Sequence, residues 1–439
     1  MSNPTSHTFL GFGLGAIQAG LFLHEAARSG AFGRLVVAEV QSDSVVALRR
    51  AGGRLGLNIA RADRIETESL GPIEVENPSD PLARERLVGA VADAHEIATA
   101  VPSVHFYTSP GPGSIHRILA EGLARRARAG GAPCVIYTAE NHNHAAEILE
   151  QAVMAEIPPG DRWAARSRAK FLNTVIGKMS GVITDPAEIA ARGLVPFAEG
   201  ISRAFLVEEF NRILISEIRF HAGDHPGFGS FQRGIAVFEE KPDLLPFEEA
   251  KLYGHNAIHA AAAYLARRLG LARMDQLRGH GDVLAFLRAA FVEETGAALR
   301  RKHKTVDPFF SIEEYVPYVD DLLTRMTNPH LGDLVERVGR DVRRKLGWND
   351  RLIGALRLTI AQGASGLRLA TATAAALIEC DPAVAEPARP VASLLKDIWG
   401  PTGDLGEEAS VVAAIERGRA ALQRWETSGR RDIEAACRG

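Results

Sequence analysis

Residues 7–40 read HTFLGFGLGAIQAGLFLHEAARSGAFGRLVVAEV, and this stretch decides the fold of the N-terminal half. A short apolar run from His7 enters a glycine-rich turn, and the helix-spaced segment that follows stops at Gly30. RLVVAEV then has the β-branched composition of a strand, with Glu39 near its end. Strand, glycine turn, helix and strand in this order predict a dinucleotide-binding βαβ unit of the Rossmann type.

The glycine-rich turn has a physical reason for its small residues. Gly11 permits the tight turn, Gly13 lets the backbone approach a pyrophosphate, and Ala16 takes the third position, which is usually glycine. The N-terminus of the next helix presents free N–H groups and a positive dipole end to the phosphates. The predicted cofactor-binding residues of the turn are Gly11, Phe12, Gly13, Leu14, Gly15, Ala16 and Ile17.

The remaining cofactor contacts are predicted from the ends of other strands. Glu39 can accept hydrogen bonds from the ribose hydroxyls and repels a 2′-phosphate; no arginine follows it directly, so NAD is favoured over NADP. Ligands bind beyond the carboxyl ends of strands in open α/β sheets, which adds Val101 after EIATA and Asn141 after CVIYTAE. A glycine fingerprint alone is a weak signal, and an S-adenosylmethionine site is the main alternative.

The composition is that of an ordinary globular protein with more than one core. The chain has 439 residues, 46% of them hydrophobic and 24% charged, and a net charge of -3, which argues against a nucleic-acid or anionic-membrane partner. Its three cysteines form no disulfide framework. The uncharged stretch Thr8–Leu23 is too short to cross a bilayer and lacks a preceding basic residue, so we expect a cytoplasmic protein.

The pattern along the chain predicts two domains. The first, residues 1–243, is predicted as the α/β Rossmann-type NAD-binding domain, with a helix over Arg166–Val182 and strands over Phe205–Phe220 and Gly234–Glu240. After Lys241 nearly everything is helical in pattern, so residues 244–439 are predicted as a mainly α-helical substrate and catalytic domain.

The segment KLYGHNAIH, residues 251–259, carries the candidate chemistry of the second domain. On an α-helix at about 100° per residue, Asn256 lies about 140° and His259 about 80° from Lys251, so all three project from one side. Lys251 can serve as a general base if its pKa falls from about 10.4 toward about 7–8, while Asn256 and His259 donate hydrogen bonds to the reacting oxygen. The alternative is a buried helix with incidental polar residues.

Metal chemistry is not predicted. His142 and His144 lie close together, but no third histidine or carboxylate stands at ligand spacing. Oxidation of an alcohol by NAD without zinc requires side chains to take the proton and to polarise the carbonyl oxygen, and the lysine segment supplies both.

KLYGHNAIH fits the Lys-x4-Asn-x2-His pattern of the polyol-specific long-chain dehydrogenases, the mannitol dehydrogenase family. The sequence resembles the mannitol-1-phosphate 5-dehydrogenases of this family more than the mannitol 2-dehydrogenases or hexuronate reductases. The match extends over most of the chain, in the segments GFGLGA, TAVP at 99–102, AEN at 139–141, FLNTV at 171–175, VEEFN at 207–211 and RMTNPHLGDLVERVGRDVRRKLGWNDRL at 325–352.

The resemblance implies metal-independent hydride transfer with Lys251 as general acid and base, in a cleft between the two domains. It also implies a monomer or weak dimer. A phosphorylated substrate requires a basic pocket, for which Arg340 and Lys345 match the phosphate-polyol relatives and Arg325 is a weaker candidate; the alternative is that these cations form a solvated face. Asn173, in the FLNTV segment, is a further candidate for substrate contact.

One departure puts the usual hexitol substrate in doubt. Gly177, Lys178 and Met179 stand where relatives carry an Asp-Arg-Ile-like triplet, whose aspartate helps to hold the polyol in the mannitol 2-dehydrogenase branch.

The leading hypothesis is an NAD-dependent dehydrogenase of a polyol or sugar phosphate, similar to mannitol 1-phosphate and fructose 6-phosphate. The alternatives are a dehydrogenase of an unphosphorylated polyol or a sugar acid, and a non-catalytic NAD-binding sensor. The expected partners are a small-molecule substrate and the cofactor only.

Overall fold

The computed structural model describes residues 7–210, 212–220, 231–386 and 388–438. The chain divides into two compact units, Met1–Leu244 and Leu245–Gly439. The split falls one residue after the predicted domain boundary, and the functions assigned to the two parts stay predictions.

All strands among the described residues belong to the first unit. They are β1 (His7–Phe12), β2 (Phe32–Ala38), β3 (Leu55–Ala60), β4 (Ile65–Leu70), β5 (Glu74–Glu76), β6 (Ala94–Thr99), β7 (Cys134–Thr138), β8 (Ala169–Val175), β9 (Ser180–Ile183), β10 (Ala204–Glu208), β11 (Ile213–Ser216) and β12 (Phe238–Lys241).

The described strands form two sheets. The larger has the order β12-β11-β8-β7-β6-β1-β2-β5, and from β8 to β5 every neighbouring pair is parallel. β1 lies between β2 and β6, with Phe12 paired to Ala38 on one side and to Thr99 on the other. The carboxyl ends of these three central strands therefore meet at one edge, where an open α/β sheet binds its ligands.

The smaller sheet has the order β4-β3-β10-β9. β3 and β4 are an antiparallel pair running from Leu55↔Leu70 to Ala60↔Ile65, and β10 joins β3 in parallel. Its backbone therefore combines residues near position 60 with residues near position 206.

The first unit also contains the following helices. They are α1 (His24–Ser29), α2 (Ser42–Arg50), α3 (Pro81–Asp93), α4 (Ile115–Arg128), α5 (Ala145–Glu156), α6 (Pro159–Arg166) and α7 (Pro186–Ala191). A π-helical turn, Gln18–Leu23, precedes α1, and the helix ends at Gly30 with φ of 66°. The apolar side chains of β1 alternate between two cores, with Phe9 in one and Leu10 in the other.

One predicted element of this unit is wrong, and two predicted strands have different bounds. The helix expected over Arg166–Val182 is instead the end of α6 followed by β8 and β9, because the apolar residues of this segment pair with β7 in the sheet. A short buried apolar run has no periodicity that separates strand from helix.

The strand expected over Phe205–Phe220 is two shorter strands in different sheets, β10 and β11; Asn211, between them, lies outside the described residues. The strand expected over Gly234–Glu240 begins only at Phe238.

The second unit is helical in its described residues. Its helices are α8 (Leu245–Glu249), α9 (Asn256–Arg268), α10 (Gly281–Ala289), α11 (Gly296–Lys302), α12 (Ile312–Met326), α13 (Val335–Gly339), α14 (Val342–Lys345), α15 (Arg351–Ala361), α16 (Leu367–Cys380), α17 (Val391–Trp399), α18 (Leu405–Thr427) and α19 (Ile433–Arg438). Two π-helical turns lie inside longer helices, Ala250–His255 between α8 and α9 and Ala290–Thr295 between α10 and α11.

The core of this unit is built around alanine-rich helices that pack closely. α16 packs against both α9 and α18. A Cβ on Gly418 of α18 would lie 2.4 Å from the carbonyl carbon of Ala370 on α16, so only glycine permits this approach. None of the helices described in this chain has the length and apolarity needed to span a membrane.

Candidate active site

The glycine-rich turn follows β1 at the carboxyl edge of the larger sheet. Gly13 has φ of 85°, in the left-handed region that favours glycine. A Cβ on Gly13 would lie 2.8 Å from the carbonyl oxygen of Ala100 and 3.1 Å from Cγ1 of Val101. The N–H of Gly13 donates to the carbonyl of Ala38 at 2.9 Å. The structure therefore brings Val101 and the end of β2 against the turn.

The rest of the turn is divided between core and open surface. Phe12 and Ala16 are buried, so Phe12 can offer a ligand its backbone only. A Cβ on Gly15 would meet no atom within 4 Å. Leu14, Gly15 and Ile17 are each partly exposed. A glycine turn with an open side at a helix N-terminus fits the pyrophosphate of a dinucleotide.

Glu39 is held against this turn by hydrogen bonds. Its carboxylate accepts from the N–H of Leu14 at 2.9 Å and from the N–H of Gln41 at 2.6 Å. These bonds leave lone pairs for ribose hydroxyls, because an ionised carboxylate has about four acceptor sites. The residues present therefore fit an adenosine ribose without a 2′-phosphate.

Sequence reasoning missed an arginine near Glu39. Arg203 donates to the Oγ of Ser44 at 2.5 Å and lies 3.3 Å from the carboxylate of Asp43, and it also bonds the side chain of Gln41. The fold brings it to the loop after β2 from more than 150 positions away, so no local motif signals it. Asp43 compensates its charge.

A second buried carboxylate organises the ends of β6 and β7. Glu140 accepts from the N–H of Val101 at 2.9 Å, from Thr99 Oγ1 at 2.8 Å and from the hydroxyl of Tyr107. Burial raises the pKa of Glu140, against these hydrogen bonds. Glu140 thus fixes the loop that carries Val101, and Asn141 lies exposed directly after it.

Asn173 lies on β8, and its side chain serves the neighbouring helix. Its Oδ1 accepts from the N–H of Ala146 at 2.9 Å, and its Nδ2 donates to Glu147 at 2.9 Å. The amide therefore caps the N-terminal turn of α5, and contact with a substrate would require one of these bonds to break.

The departure at Gly177–Met179 has a structural account. The buried ammonium of Lys178 donates to the carbonyl of Phe210 at 3.0 Å and to that of Glu208, while the N–H of Met179 donates to the carboxylate of Glu208 at 2.5 Å. A lysine at this position stabilises the end of β10.

In the second unit, Lys251 lies in the π-helical turn Ala250–His255. The angles between Lys251, Asn256 and His259 that were expected for a regular α-helix are therefore wrong. The N–H of Asn256 donates to the carbonyl of Lys251, an i→i+5 bond. One extra residue per turn places Asn256 one full turn above Lys251. His259 then follows on regular α-helix, three residues after Asn256.

Burial is the main influence on the Lys251 ammonium. It lowers the pKa from 10.5 to about 8; the positive charge of Arg351 acts in the same direction, and Glu248 opposes both. The neutral amine is therefore available near neutral pH, as a general base requires.

The two histidines of the segment are neutral at pH 7. Burial lowers the pKa of His259 to about 4, with Asp333 opposing and Arg337 assisting, and burial also lowers the pKa of His255 well below its usual value. Their ring centroids are 6.1 Å apart. A neutral imidazole offers one donor and one acceptor to a ligand.

Sequence reasoning also missed Arg351 and Asp333. Arg351 lowers the pKa of Lys251, His255 and His259, so its guanidinium lies near all three. Asp333 lies 3.8 Å from His259, measured between Oδ2 and Nε2. Both residues belong to the 325–352 run that carries the family resemblance, which is the signal that could have identified them.

The predicted substrate cations differ in their surroundings. Arg325 is largely buried and bonds Asp321 at 3.1 Å. The Arg340 side chain is 69% exposed and lies 3.9 Å from Asp341. Lys345 is buried, donates to the carbonyl of Val338 at 2.8 Å and to that of Arg340, and has its pKa lowered to about 8 mainly by burial.

Within the described ranges, no group of three His, Cys, Asp or Glu side chains is arranged to hold a metal ion.

Similar proteins identify the family. Residues 243–391 match the family described as the mannitol dehydrogenase C-terminal domain. The mannitol-1-phosphate 5-dehydrogenase of Arthrobacter sp. (strain FB24) is 34% identical over 307 residues, which are 69% of this chain and 69% of that protein. The mannitol-1-phosphate 5-dehydrogenase of Bacillus licheniformis is 29% identical over 373 residues, 84% of this chain and 86% of that protein.

Solved structures share the fold. D-sorbitol dehydrogenase in substrate-free form has a TM-score of 0.73 at 14% identity, over 99% of this chain and 96% of that chain. Pseudomonas fluorescens mannitol 2-dehydrogenase, in a ternary complex with NAD and D-mannitol, has a TM-score of 0.65 at 16% identity, over 99% and 94%. The predicted α/β fold with a mainly helical C-terminal part is confirmed. The chain therefore belongs to the mannitol dehydrogenase family and is an oxidoreductase of the polyol dehydrogenase type.

Proposed function

We propose that the protein is an NAD-dependent dehydrogenase that interconverts a polyol phosphate and a ketose phosphate, similar to mannitol 1-phosphate and fructose 6-phosphate, without a metal. The observation that carries this proposal is the π-helical turn, in which Lys251, with its pKa lowered to about 8, lies one turn below Asn256. A base and an amide donor on successive turns are what the oxidation of a hydroxyl group requires.

NAD is held by the first unit. The backbone of Gly13 to Ile17 would hold the pyrophosphate, and Glu39 would accept hydrogen bonds from the adenosine ribose. Val101, fixed by the bonds of Glu140, lines the same turn. When bound, NAD accepts the hydride that leaves the carbinol carbon.

The side chains of the second unit manage the proton. Neutral Lys251 takes the proton of the substrate hydroxyl as the carbon loses its hydride, and in the reverse direction the ammonium returns it. The amide of Asn256 donates a hydrogen bond to the oxygen as charge develops on it, and His259 contacts the substrate beside it. The products are the ketose, NADH and one proton.

A phosphate on the substrate has a candidate partner in Arg351. Its Nε donates to Asp350 at 2.9 Å, and among the described residues its two terminal amino groups have no hydrogen-bond partner. The side chain is only 14% exposed. Arginine forks of this kind bind phosphate oxygens in a bidentate manner. Arg351 is therefore a better candidate than Lys345, whose ammonium already serves two carbonyls, or than the exposed Arg340.

The substrate is tested with a panel of hexitols, hexitol phosphates, ketoses and ketose phosphates, read at 340 nm with NAD(H) and NADP(H). We expect kcat/KM to favour the phosphorylated compounds, and Arg351→Gln to remove most of that preference. Equal turnover of free and phosphorylated hexitols would instead favour an unphosphorylated polyol as substrate.

The role of Lys251 is tested by Lys251→Ala. We expect kcat to fall by about 10³-fold or more with NADH binding retained, because a base and its charge are lost together. Unchanged activity and an unchanged pH profile would remove lysine from the mechanism. If the intact protein binds NADH but turns over none of these compounds, the alternative of a non-catalytic NAD-binding sensor is favoured.

We also propose a cytoplasmic location and a monomer or weak dimer.

A further inference from the structure

The contact between His259 and Asp333 involves two buried polar atoms without partners. Nε2 of His259 and Oδ2 of Asp333 are 3.8 Å apart, and in the described part of the chain neither has a hydrogen-bond partner. The other carboxylate oxygen, Oδ1, accepts from Arg337. A distance of 3.8 Å is beyond a hydrogen bond, but a small rotation of the ring closes it.

The backbone around Asp333 is held in place. The carbonyl of Asp333 accepts from the N–H of Met274 at 2.9 Å, and the N–H of Val335 donates to the carbonyl of Ala272 at 2.9 Å. The backbone that carries the carboxylate is therefore held by hydrogen bonds to residues 272–274, which follow α9.

We propose that Asp333 is a positioning residue that fixes the tautomer of His259, with the proton on Nε2 and the lone pair on Nδ1. This inference rests on the proposed function for its catalytic consequence: His259 then accepts a hydrogen bond from a substrate hydroxyl. Donation to the reacting oxygen, the role first expected of both residues, is left to Asn256.

The chemistry of the pair excludes the other arrangements. A buried carboxylate oxygen without a donor costs free energy, and an imidazole N–H is the donor available to it. A doubly protonated ring would satisfy Asp333 as well, but the pKa of His259 is about 4. The charged or titratable groups that face the ring are Asp333, Arg337, Arg351, Lys345 and His255.

Nδ1 is the ring nitrogen available to a ligand. Nδ1 makes no hydrogen bond to another described residue. Unlike Nε2, it is not a fully buried atom. The side chain as a whole is 14% exposed. In the neutral ring, a proton on Nε2 makes Nδ1 an acceptor.

The substitution Asp333→Asn reverses the tautomer rather than only removing a charge. Arg337 donates to Oδ1, so it selects the amide orientation in which the carbonyl oxygen of the new asparagine faces Arg337. The amide NH₂ then faces Nε2 and requires an acceptor there. The proton moves to Nδ1, and the nitrogen that faced the substrate as an acceptor becomes a donor.

The tautomer is measured directly by ¹⁵N spectra of the intact protein labelled on histidine. The resonances of His259 are assigned by their loss in His259→Gln. We expect Nε2–H in the wild-type protein and Nδ1–H in Asp333→Asn. Nδ1–H in the wild-type protein overturns the inference, even if Asp333→Asn does not fold.

The kinetic arm uses a matched control. Asp320 forms a surface pair with Arg288 and is not among the charged groups that shift the pKa of His259, so Asp320→Asn removes a carboxylate of the same kind as a control. We expect kcat to fall about 10²-fold in Asp333→Asn, comparable to the loss of one positioned hydrogen bond, with the NADH dissociation constant unchanged and Asp320→Asn as active as wild type. Full activity in a folded Asp333→Asn overturns the inference.

The outcome is distinguishable from failure of the proposed function. If the Nε2–H tautomer is found but no polyol or polyol phosphate is oxidised, the proposed function fails and the pairing stands. If oxidation depends on Lys251 but His259 carries its proton on Nδ1, the pairing fails and the proposed function stands.

Discussion

The pKa of Lys251 leads to a specific pH profile for polyol oxidation. A fall from 10.5 to about 8 raises the neutral fraction at pH 7 about 300-fold, from a few parts in ten thousand to about one tenth. Because the neutral amine is the base, kcat/KM for oxidation should rise with pH, with unit slope, and level off above about 8. In the reverse direction the ammonium is the acid, so the rate should fall over the same range.

The assignment of Lys251 as the base is tested by removing the charges that shift its pKa, because each removal should move the midpoint of the pH profile in a known direction. Arg351 repels the ammonium, so Arg351→Gln should move the midpoint upward; burial is the larger cause, and the midpoint should stay below 10.5. Glu248 stabilises the ammonium, so Glu248→Gln should move the midpoint downward. Arg288→Gln, which removes a positive charge from a surface pair with Asp320, should leave it unchanged.

The assay is initial-rate kcat/KM at 340 nm from pH 7 to 10, at saturating NAD. Working above pH 7 keeps a substrate phosphate in its dianionic form, since its second pKa is about 6. The midpoint is read from the shape of the profile, so weaker substrate binding by Arg351→Gln does not disturb it. A midpoint that moves downward in Arg351→Gln, or that no variant moves, would refute the assignment of Lys251 as the base.

Three further predictions concern the first unit. Gly13→Ala should lower stability by about 1–3 kcal/mol and weaken NADH binding, because of its positive φ and the nearby Ala100 carbonyl, whereas Gly15→Ala should unfold at the wild-type urea midpoint; NADH fluorescence and urea titration measure both. Glu39→Ser should reduce the preference for NADH over NADPH by about tenfold or more, since a carboxylate repels a 2′-phosphate, and an unchanged ratio of the two dissociation constants would exclude that role. Lys178→Asp should lower stability by about 3–5 kcal/mol, because it places a carboxylate against two carbonyls; an unchanged urea midpoint would argue against the structural role of Lys178.

The fold of residues 7–40 could be predicted because local signals agree there: an apolar strand, a glycine turn, a helix that ends at Gly30 and a second strand. The segment that carries Asn173 could not be predicted, because a buried apolar run reads equally as helix or strand. Its pairing with β7 and β11 makes it a strand, and both pairings depend on residues more than thirty positions away.

Some residues of the candidate site could be predicted from the sequence and others could not. Lys251, Asn256 and His259 stand within nine residues of each other, and their spacing makes them visible. Arg351 and Asp333 act on them from 74 to 100 positions away in sequence, and neither residue has a local pattern that signals chemistry. The fold alone supplies that proximity.

The π-helical turn at Ala250–His255 has a consequence for engineering this enzyme. An α-helix that gains one residue while both of its ends stay packed takes up the addition as a single wide turn. Deleting one residue upstream of Lys251 would restore regular pitch but keep Asn256 five residues after Lys251, so Lys251 would lie about 140° around the helix axis from the amide. A library design or an alignment that places a single-residue gap before Lys251 therefore changes which side chain meets the substrate, while the buried alanines of α9 keep their places.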